Sequence, residues 1–314
     1  MRERRLDPTT RAWTTFANIP PDRPEEAVQP CALCSLPQAG GSIAVVEDLL
    51  PMLEASPPPA STGAEPPYEV AAARGASELV VHAREHDETL RTLGPERLEQ
   101  AIHVWADRYA ELGRRPEIGY ALVHATVGDE AGATLAHPHS RVDAYPEIPP
   151  VPLRELETAR AQLEATGRCV FCDVVTAERR DGRRVVAAND SFLAFVPFAA
   201  RLPYEVHVIA QRHAGSLVDL TDVERTALAR LLHAVLRAYD GLFGQPLPYV
   251  LAIHQAPTDD GQWQSVSHFH VELTPPHRSA SEVRRPYAPE LVGGIHVNAS
   301  VPERSAEQLR AVVG

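Results

Sequence analysis

The chain carries four cysteines, and they come as two C-x-x-C pairs, Cys31/Cys34 and Cys169/Cys172. It also carries two H-x-H motifs, His137/His139 and His268/His270, among 14 histidines. Thiolates and imidazoles are the ligands of tetrahedral zinc. In a reducing compartment C-x-x-C reads as a metal or redox motif rather than a disulfide. The pairs lie too far apart for one zinc ribbon. A thioredoxin-like site needs a strand–motif–helix context, and Pro30 and Pro37 around the first pair suit a loop instead. The remaining reading is two separate sites, each completed by histidines.

The chain is long enough for two ordinary domains or one large one, at 314 residues. Hydrophobic residues make up 44% and charged residues 23%, the balance of a soluble globular protein. Acidic side chains outnumber basic ones by 42 to 30, and the net charge of −12 argues against a nucleic-acid binder. No apolar run is long enough to span a membrane. The start, MRERRLDPTT, is charged and has no apolar stretch, so the expected location is cytoplasmic. Every basic side chain is arginine. A Schiff base, a pyridoxal-phosphate site and a P-loop lysine are thereby excluded.

The two C-x-x-C pairs begin two copies of one pattern. Glu78 to His86 lies over Glu205 to His213, residues 95–112 over 222–242, Tyr120 to His124 over Tyr249 to His254, and His137/His139 over His268/His270. Residues 78–84 and 204–210 are rich in Val, Ile and Leu and read as strands. Leu98, Ile102, Trp105, Tyr109 and Leu112 form one helical stripe. Leu228, Leu231, Leu232, Val235 and Tyr239 form a second, with Thr221 and Glu224 as a capping box. Residues 151–167 read as a connecting helix. The predicted fold is α+β, a tandem duplication of one unit with antiparallel sheets and packed helices. Its halves are residues 1–150 and 151–314. Each H-x-H sits in an extended segment, and Pro138, with no N–H, belongs at a strand edge or end.

Each half offers two cysteines, a strand-end histidine and the first histidine of its H-x-H. The predicted zinc sets are Cys31, Cys34, His86 and His137, then Cys169, Cys172, His213 and His268. Four protein ligands make a closed, structural site. His139 then projects from a pinned backbone, which suits a nucleophile. Gly128 to Thr134 precede it with glycines that admit an anion, and Ser140 and Arg141 follow as phosphate-binding groups. His270 is followed instead by Val271-Glu272-Leu273, which repels phosphate. The alternative for His139 is a purely structural role.

These residues resemble the galactose-1-phosphate uridylyltransferase family, within the histidine-triad superfamily. Arg4 to Trp13 is similar to its R-x-D-P-x-x-x-x-W, Val46 to Pro51 to F-x-N-x-F-P, and Gly128 to Ser140 to G-x-x-A-G-A-S-x-x-H-P-H-S. Arg201 to Glu205 is similar to R-x-P-F-E, and Glu290 to Arg310 to the closing E-L-G…N…P-E…A-x-x-L-R. The resemblance implies a double displacement in which His139 takes the nucleotidyl group from a nucleoside-diphosphate sugar and passes it to a sugar 1-phosphate. It implies two structural zinc ions and a homodimer whose sites draw on the partner chain. Some members hold a second metal with Glu and His, whereas Cys169/Cys172 looks like a two-zinc variant. Ser140 and Arg141 join His139 in the implied catalytic set. Arg23, Asp48, Thr126, Gly132, Ala133, Thr134, His270 and Glu290 form the implied substrate side.

Three positions depart from the family pattern. Arg141 stands where the family has a Gln that bonds the intermediate, and Asp48 and Thr126 stand where it has Asn. Two other functions remain open: a phosphorylase or hydrolase of the same superfamily, and a zinc-stabilised binding protein without activity.

Overall fold

The expected stripe of residues 95–112 forms a helix, and its apolar side is fully used: Leu98, Ile102, Trp105 and Leu112 are completely buried. The computed structural model describes residues 3–16, 31–35, 43–61, 64–259, 261–283 and 287–313. The first half contributes β1 (Glu3–Leu6), β2 (Trp13–Phe16), β3 (Ala44–Glu47), β4 (Glu69–Ala72) and β5 (Ala76–Val81). Helix α1 (Gly94–Leu112), β6 (Tyr120–Val127) and β7 (His139–Tyr145) follow. The link is α2 (Pro150–Thr166) and α3 (Val170–Asp181). The second half contributes β8 (Val185–Ala188), β9 (Phe192–Phe195), β10 (Val206–Ala210), α4 (Asp222–Phe243), β11 (Tyr249–His254) and β12 (His270–Thr274). Two short strands and the helices α5 (Ala288–Gly293) and α6 (Pro302–Arg310) close the chain. Helix α4 opens on the expected capping box of Thr221 and Glu224.

Nine strands form one antiparallel sheet in the order β3-β5-β7-β6-β11-β12-β10-β9-β8. The first half runs inward to β6, and the second runs outward from β11. The two copies therefore meet at the β6–β11 pair, where Leu251 lies opposite Ala125. A separate three-stranded sheet has the order β2-β1-β4. The repeat is real, but its register differs from the sequence overlay. His124 lies opposite Arg141, two residues beyond His139, whereas His254 lies opposite His270 itself. His124 therefore corresponds to Ala252, not to His254. Likewise Val81 pairs with His139 and Ile209 with His270, so Glu78 corresponds to Val206 and not to Glu205. The first half has one more residue between its strand and His86 than the second has before His213, and that residue shifts the frame.

The period of two along each strand sorts the side chains. Val80, Val123, Ala125, Val142, Leu251, Ile253, Val271 and Leu273 face α1 and α4 and make the main core. Each fully buried Leu-sized side chain there contributes about 1.5–3 kcal/mol. The opposite face carries His139, Arg141 and Asp143 on β7, His124 and Thr126 on β6, and His254, His270, Glu272 and His207 on β11, β12 and β10. Only the second histidine of each H-x-H is in a strand. Pro138 stands just before β7, and its carbonyl accepts the His82 N–H at 2.9 Å. This interior strand thus tolerates a proline at its end.

Candidate active site and metal centres

Each predicted cysteine–histidine set converges. Cys31, Cys34, His86 and His137 bring one ligand atom each to within 4.8 Å of one another, and so do Cys169, Cys172, His213 and His268. Zinc bonds of about 2.3 Å to sulfur and about 2.0 Å to nitrogen place tetrahedral ligand atoms roughly 3.5 Å apart. Cys34 Sγ lies 3.4 Å from Nδ1 of both His86 and His137. Cys172 Sγ lies 3.8 Å from His213 Nδ1 and 3.7 Å from His268 Nδ1. The outer nitrogens donate to backbone carbonyls, His137 to Ala83 at 2.8 Å, His268 to Ala210 at 2.7 Å and His213 to Gln264 at 2.9 Å. That fixes the tautomer with each Nδ1 lone pair facing the thiols, the usual orientation of a metal-bound imidazole. Burial, with Cys169 beside it, pushes the Cys172 thiol up to about 11. Two crowded sulfurs need a cation to become thiolates. Both sets fit a structural metal ion of the zinc type.

His139 begins β7 one peptide beyond Pro138. Its Nδ1–H donates to the His137 carbonyl at 2.7 Å, which leaves the Nε2 lone pair unengaged. Burial, reinforced by Arg141, lowers its basicity, and Asp48 partly opposes them. The ring is therefore neutral at physiological pH and able to attack phosphorus. Ser140 points the other way, as alternation requires. Its hydroxyl accepts the Trp105 indole N–H at 2.7 Å and meets His82 Nε2 at 3.0 Å. Ser140 is fully buried, so its side chain anchors the His139 strand to α1 and points away from the face that carries His139. Burial pushes His82 down to about 3, so this anchor is uncharged.

Arg141 shares His139's face, and one nitrogen of its guanidinium is held by a buried carboxylate. Nη1 donates to Asp48 Oδ2, and Asp48 Oδ1 accepts the Leu50 N–H at 3.0 Å. The Asp48 side chain is 1% exposed and that of Arg141 19%. The two departures from the family pattern thus neutralise each other. Arg141→Gln alone strands a buried carboxylate and is expected to cost on the order of 3 kcal/mol. Adding Asp48→Asn is expected to recover most of that loss. Urea unfolding of the parent, both single variants and the double variant measures the coupling; additive losses contradict it.

Residues 43–149 match the galactose-1-phosphate uridyl transferase N-terminal domain, and residues 155–313 match the corresponding C-terminal domain. A galactose-1-phosphate uridylyltransferase of Thermotoga maritima is 32% identical over 99% of this chain and 98% of its own length. The chain belongs to the galactose-1-phosphate uridylyltransferase family. A solved uridylyltransferase structure superposes with a TM-score of 0.91 at 29% identity, covering 99% of this chain and 98% of the other. An ADP-glucose phosphorylase of Arabidopsis thaliana is 24% identical over 99% of this chain and 93% of its own.

The implied substrate side of this uridylyltransferase-family chain is only partly assembled. Thr126 lies on the nucleophile's face of β6. Gly132 has φ 95°, a left-handed conformation that favours glycine, at the end of a tight turn. Its N–H donates to Asp129 at 2.9 Å and that of Ala133 to Gly128 at 3.2 Å. Those amides are spent inside the turn, contrary to the expectation that they cradle an anion. Thr134 is exposed. Glu290 lies on α5, away from the nucleophile's sheet, where its carboxylate accepts the N–H groups of Tyr287 and Val297. Arg23 lies outside the described residues.

His270 shares the sheet face of His139 but is surrounded by carboxylates and other imidazoles. Its ring packs 4.8 Å from that of His254 and 5.8 Å from that of His207, with Nε2 3.9 Å from both Glu155 and Glu272. Glu155, His254, His270 and Glu272 form a further group able to hold a metal ion. The Cys169/Cys172 set therefore stands beside a Glu/His set instead of replacing it. Burial alone would lower His254, but its 2.8 Å bond to Glu155 and the charges of Glu155 and Glu272 together raise it. Sequence reasoning missed Glu155, which arrives from the linking helix α2. The signal for His254 was its place at the end of a strand beside the second H-x-H.

Proposed function

We propose that this chain is a nucleotidyltransferase that uses a nucleoside-diphosphate sugar and a sugar 1-phosphate in a double displacement through His139. The observation that carries the reading is the His139 ring, its Nδ1–H tied to the His137 carbonyl at 2.7 Å, which leaves the Nε2 lone pair without a hydrogen-bond partner among the described residues. Nε2 attacks the α-phosphorus, and the bond to the bridging oxygen breaks with its electron pair leaving on the sugar 1-phosphate. A second sugar 1-phosphate then attacks the same phosphorus, and the P–N bond breaks to restore the ring. UDP-hexoses are the expected donors, as the name of the Thermotoga relative suggests.

His137 belongs to one metal set, so zinc there holds the nucleophile's backbone still; zinc at Cys169, Cys172, His213 and His268 does the same for the second half. Both ions are structural and supply no step. The two halves divide near residues 150 and 151. A homodimer is supported by the exposed apolar side chains of the closing segment, with Leu291 73% exposed, Val292 86% and Ile295 64%. In such a dimer the partner chain would contribute part of each substrate site. No helix among the described residues is long and apolar enough to cross a membrane, which accords with a cytoplasmic location.

A phosphorylase is the second reading, favoured by the full-length similarity to an ADP-glucose phosphorylase. It shares the first displacement and differs in the acceptor. Intact-mass spectrometry after incubation with UDP-, ADP- and GDP-glucose tests both: a nucleotidyl adduct is expected with one nucleotide. Release of that adduct by hexose 1-phosphate, and not by inorganic phosphate, favours the transferase. Absence of an adduct with every donor overturns the reading.

A further inference from the structure

One hydrogen-bonded chain on the polar face belongs neither to the metal sets nor to the nucleophile. His124 of β6 lies opposite Arg141 of β7, and its Nε2 is 2.8 Å from Oδ2 of Asp143. A carboxylate only accepts, so the ring proton sits on Nε2. Asp143 is fully buried, and its Oδ1 accepts the Ser77 hydroxyl at 2.6 Å. Ser77 Oγ accepts in turn the Leu53 N–H at 3.3 Å. The order imidazole, buried carboxylate, hydroxyl orients the ring as the carboxylate of a catalytic triad orients its histidine. The His124 side chain remains 22% exposed, with Nδ1 unpartnered among the described residues.

Three observations tie this group to the nucleophile. First, His124 and His139 share a face and are diagonal neighbours on adjacent strands, a Cβ separation of about 7–8 Å that one phosphate group bridges. Second, the two flanks of His139 and Arg141 differ in what they leave available. Toward β5 the Asp48 carboxylate is buried and taken up by Arg141 and the Leu50 N–H. Toward β6 the Asp143 carboxylate is consumed by His124 and Ser77. Beyond it β11 offers only the methyl group of Ala252, and Glu272 on β12 is bound by Arg201 at 2.5 Å. Third, the group is confined to one half. By the strand register the second-half counterparts of His124 and Asp143 are Ala252 and Thr274, so the half whose H-x-H faces carboxylates lacks it.

We infer that His124, aimed by Asp143 and Ser77, is a catalytic residue that hydrogen-bonds the departing and arriving phosphate monoester in the displacement at His139. The inference rests on the double displacement proposed above. With Nε2–H committed to Asp143, donation from Nδ1 uses the imidazolium form, whose charge Asp143 balances. The ring steadies the negative charge that collects on the bridging oxygen as its bond to the α-phosphorus breaks. It does the same for the acceptor before attack. Asp143 and Ser77 act through His124 and are positioning residues.

The test compares the parent with His124→Phe, His124→Gln and Asp143→Asn. It reads the rate of nucleotidylation of His139, then kcat and KM with glucose 1-phosphate and with inorganic phosphate as acceptors. His124→Phe is expected to lower kcat/KM for the phosphate acceptor about 100-fold, the lower end of what a positioned acid–base group contributes. Removing the ring leaves the buried Asp143 carboxylate with Ser77 as its side-chain partner, so the melting temperature is expected to fall. His124→Gln keeps one donor and should lose less. Asp143→Asn should lower kcat more than it raises KM. A loss confined to one acceptor identifies which phosphate His124 meets and supports the inference. Parental rates with both acceptors in His124→Phe and His124→Gln overturn it. If His124→Phe melts well below the parent, His124→Gln carries the comparison. If the parent forms no adduct at all, the double displacement itself fails. Calorimetric affinity for glucose 1-phosphate and inorganic phosphate then still reads His124, and equal affinities in parent and variants overturn the contact.

Discussion

His139→Ala is expected to abolish the nucleotidyl adduct and to lower turnover by roughly four orders of magnitude or more, as removal of a covalent nucleophile does. His270→Ala should still form the adduct. The two histidines occupy corresponding places after their metal ligands, and both tie Nδ1 to a carbonyl two residues back, at 2.7 and 2.8 Å. What differs is the surroundings. His139 has Arg141 and Asp48 beside it, a pair of opposite charges, whereas the His270 ring lies among Glu155, Glu272, His254 and His207. Carboxylates there repel a nucleotide's phosphates and attract a cation. Intact-mass spectrometry of both variants after incubation with nucleotide sugars decides between them. An adduct that survives in His139→Ala and vanishes in His270→Ala reverses the assignment.

The second large effect concerns the metal sets. Elemental analysis should find zinc at both Cys₂His₂ sets, and Cys34→Ser and Cys172→Ser should each lose the ion of their own set. Metal binding to such sets is folding free energy. Losing several kcal/mol in a chain of this size lowers Tm on the order of 10 °C or more. Activity should separate the two variants. His137 is two residues from His139, so Cys34→Ser loosens the nucleophile directly. Cys172→Ser weakens the fold at a distance from it and should retain more turnover per folded molecule. Calorimetry and steady-state rates on both proteins check this. Less than one equivalent of zinc in the parent contradicts the structural-zinc reading.

The ligand sets were legible in sequence because each rests on a short fixed spacing, repeated in the same order. His86 and His137 needed only that order to be named with Cys31 and Cys34. The helices were legible for the same reason, since a stripe such as Leu98 to Leu112 is local. Pairing between distant strands was not. The matching of strand-end histidines laid His124 over His254, whereas the strand pairing sets it two residues away, against Ala252. That shift concealed the His124–Asp143–Ser77 chain, whose members lie on three strands. The Arg141–Asp48 pair was hidden likewise: both residues stood out as departures, but only the strand order brings them together. Ser140 is a different case. Neighbours along a strand face opposite ways, so the serine next to His139 is turned to the helix side, toward Trp105 and His82.

The β6–β11 pair makes one continuous sheet out of two copies of the same unit. Alone, each copy would leave one of these strands as a long unpaired edge, a template for aggregation. Joined in one chain, the copies stay paired at any protein concentration. They are also released from identity: in a symmetric pair of separate subunits every substitution appears twice, whereas here each half mutates by itself. The second half could surround its H-x-H histidine with carboxylates without disabling the first, and the first could acquire His124 and Asp143 without crowding the second. One continuous sheet thus carries two unlike settings for corresponding histidines, His139 beside Arg141 and His270 among Glu155 and Glu272.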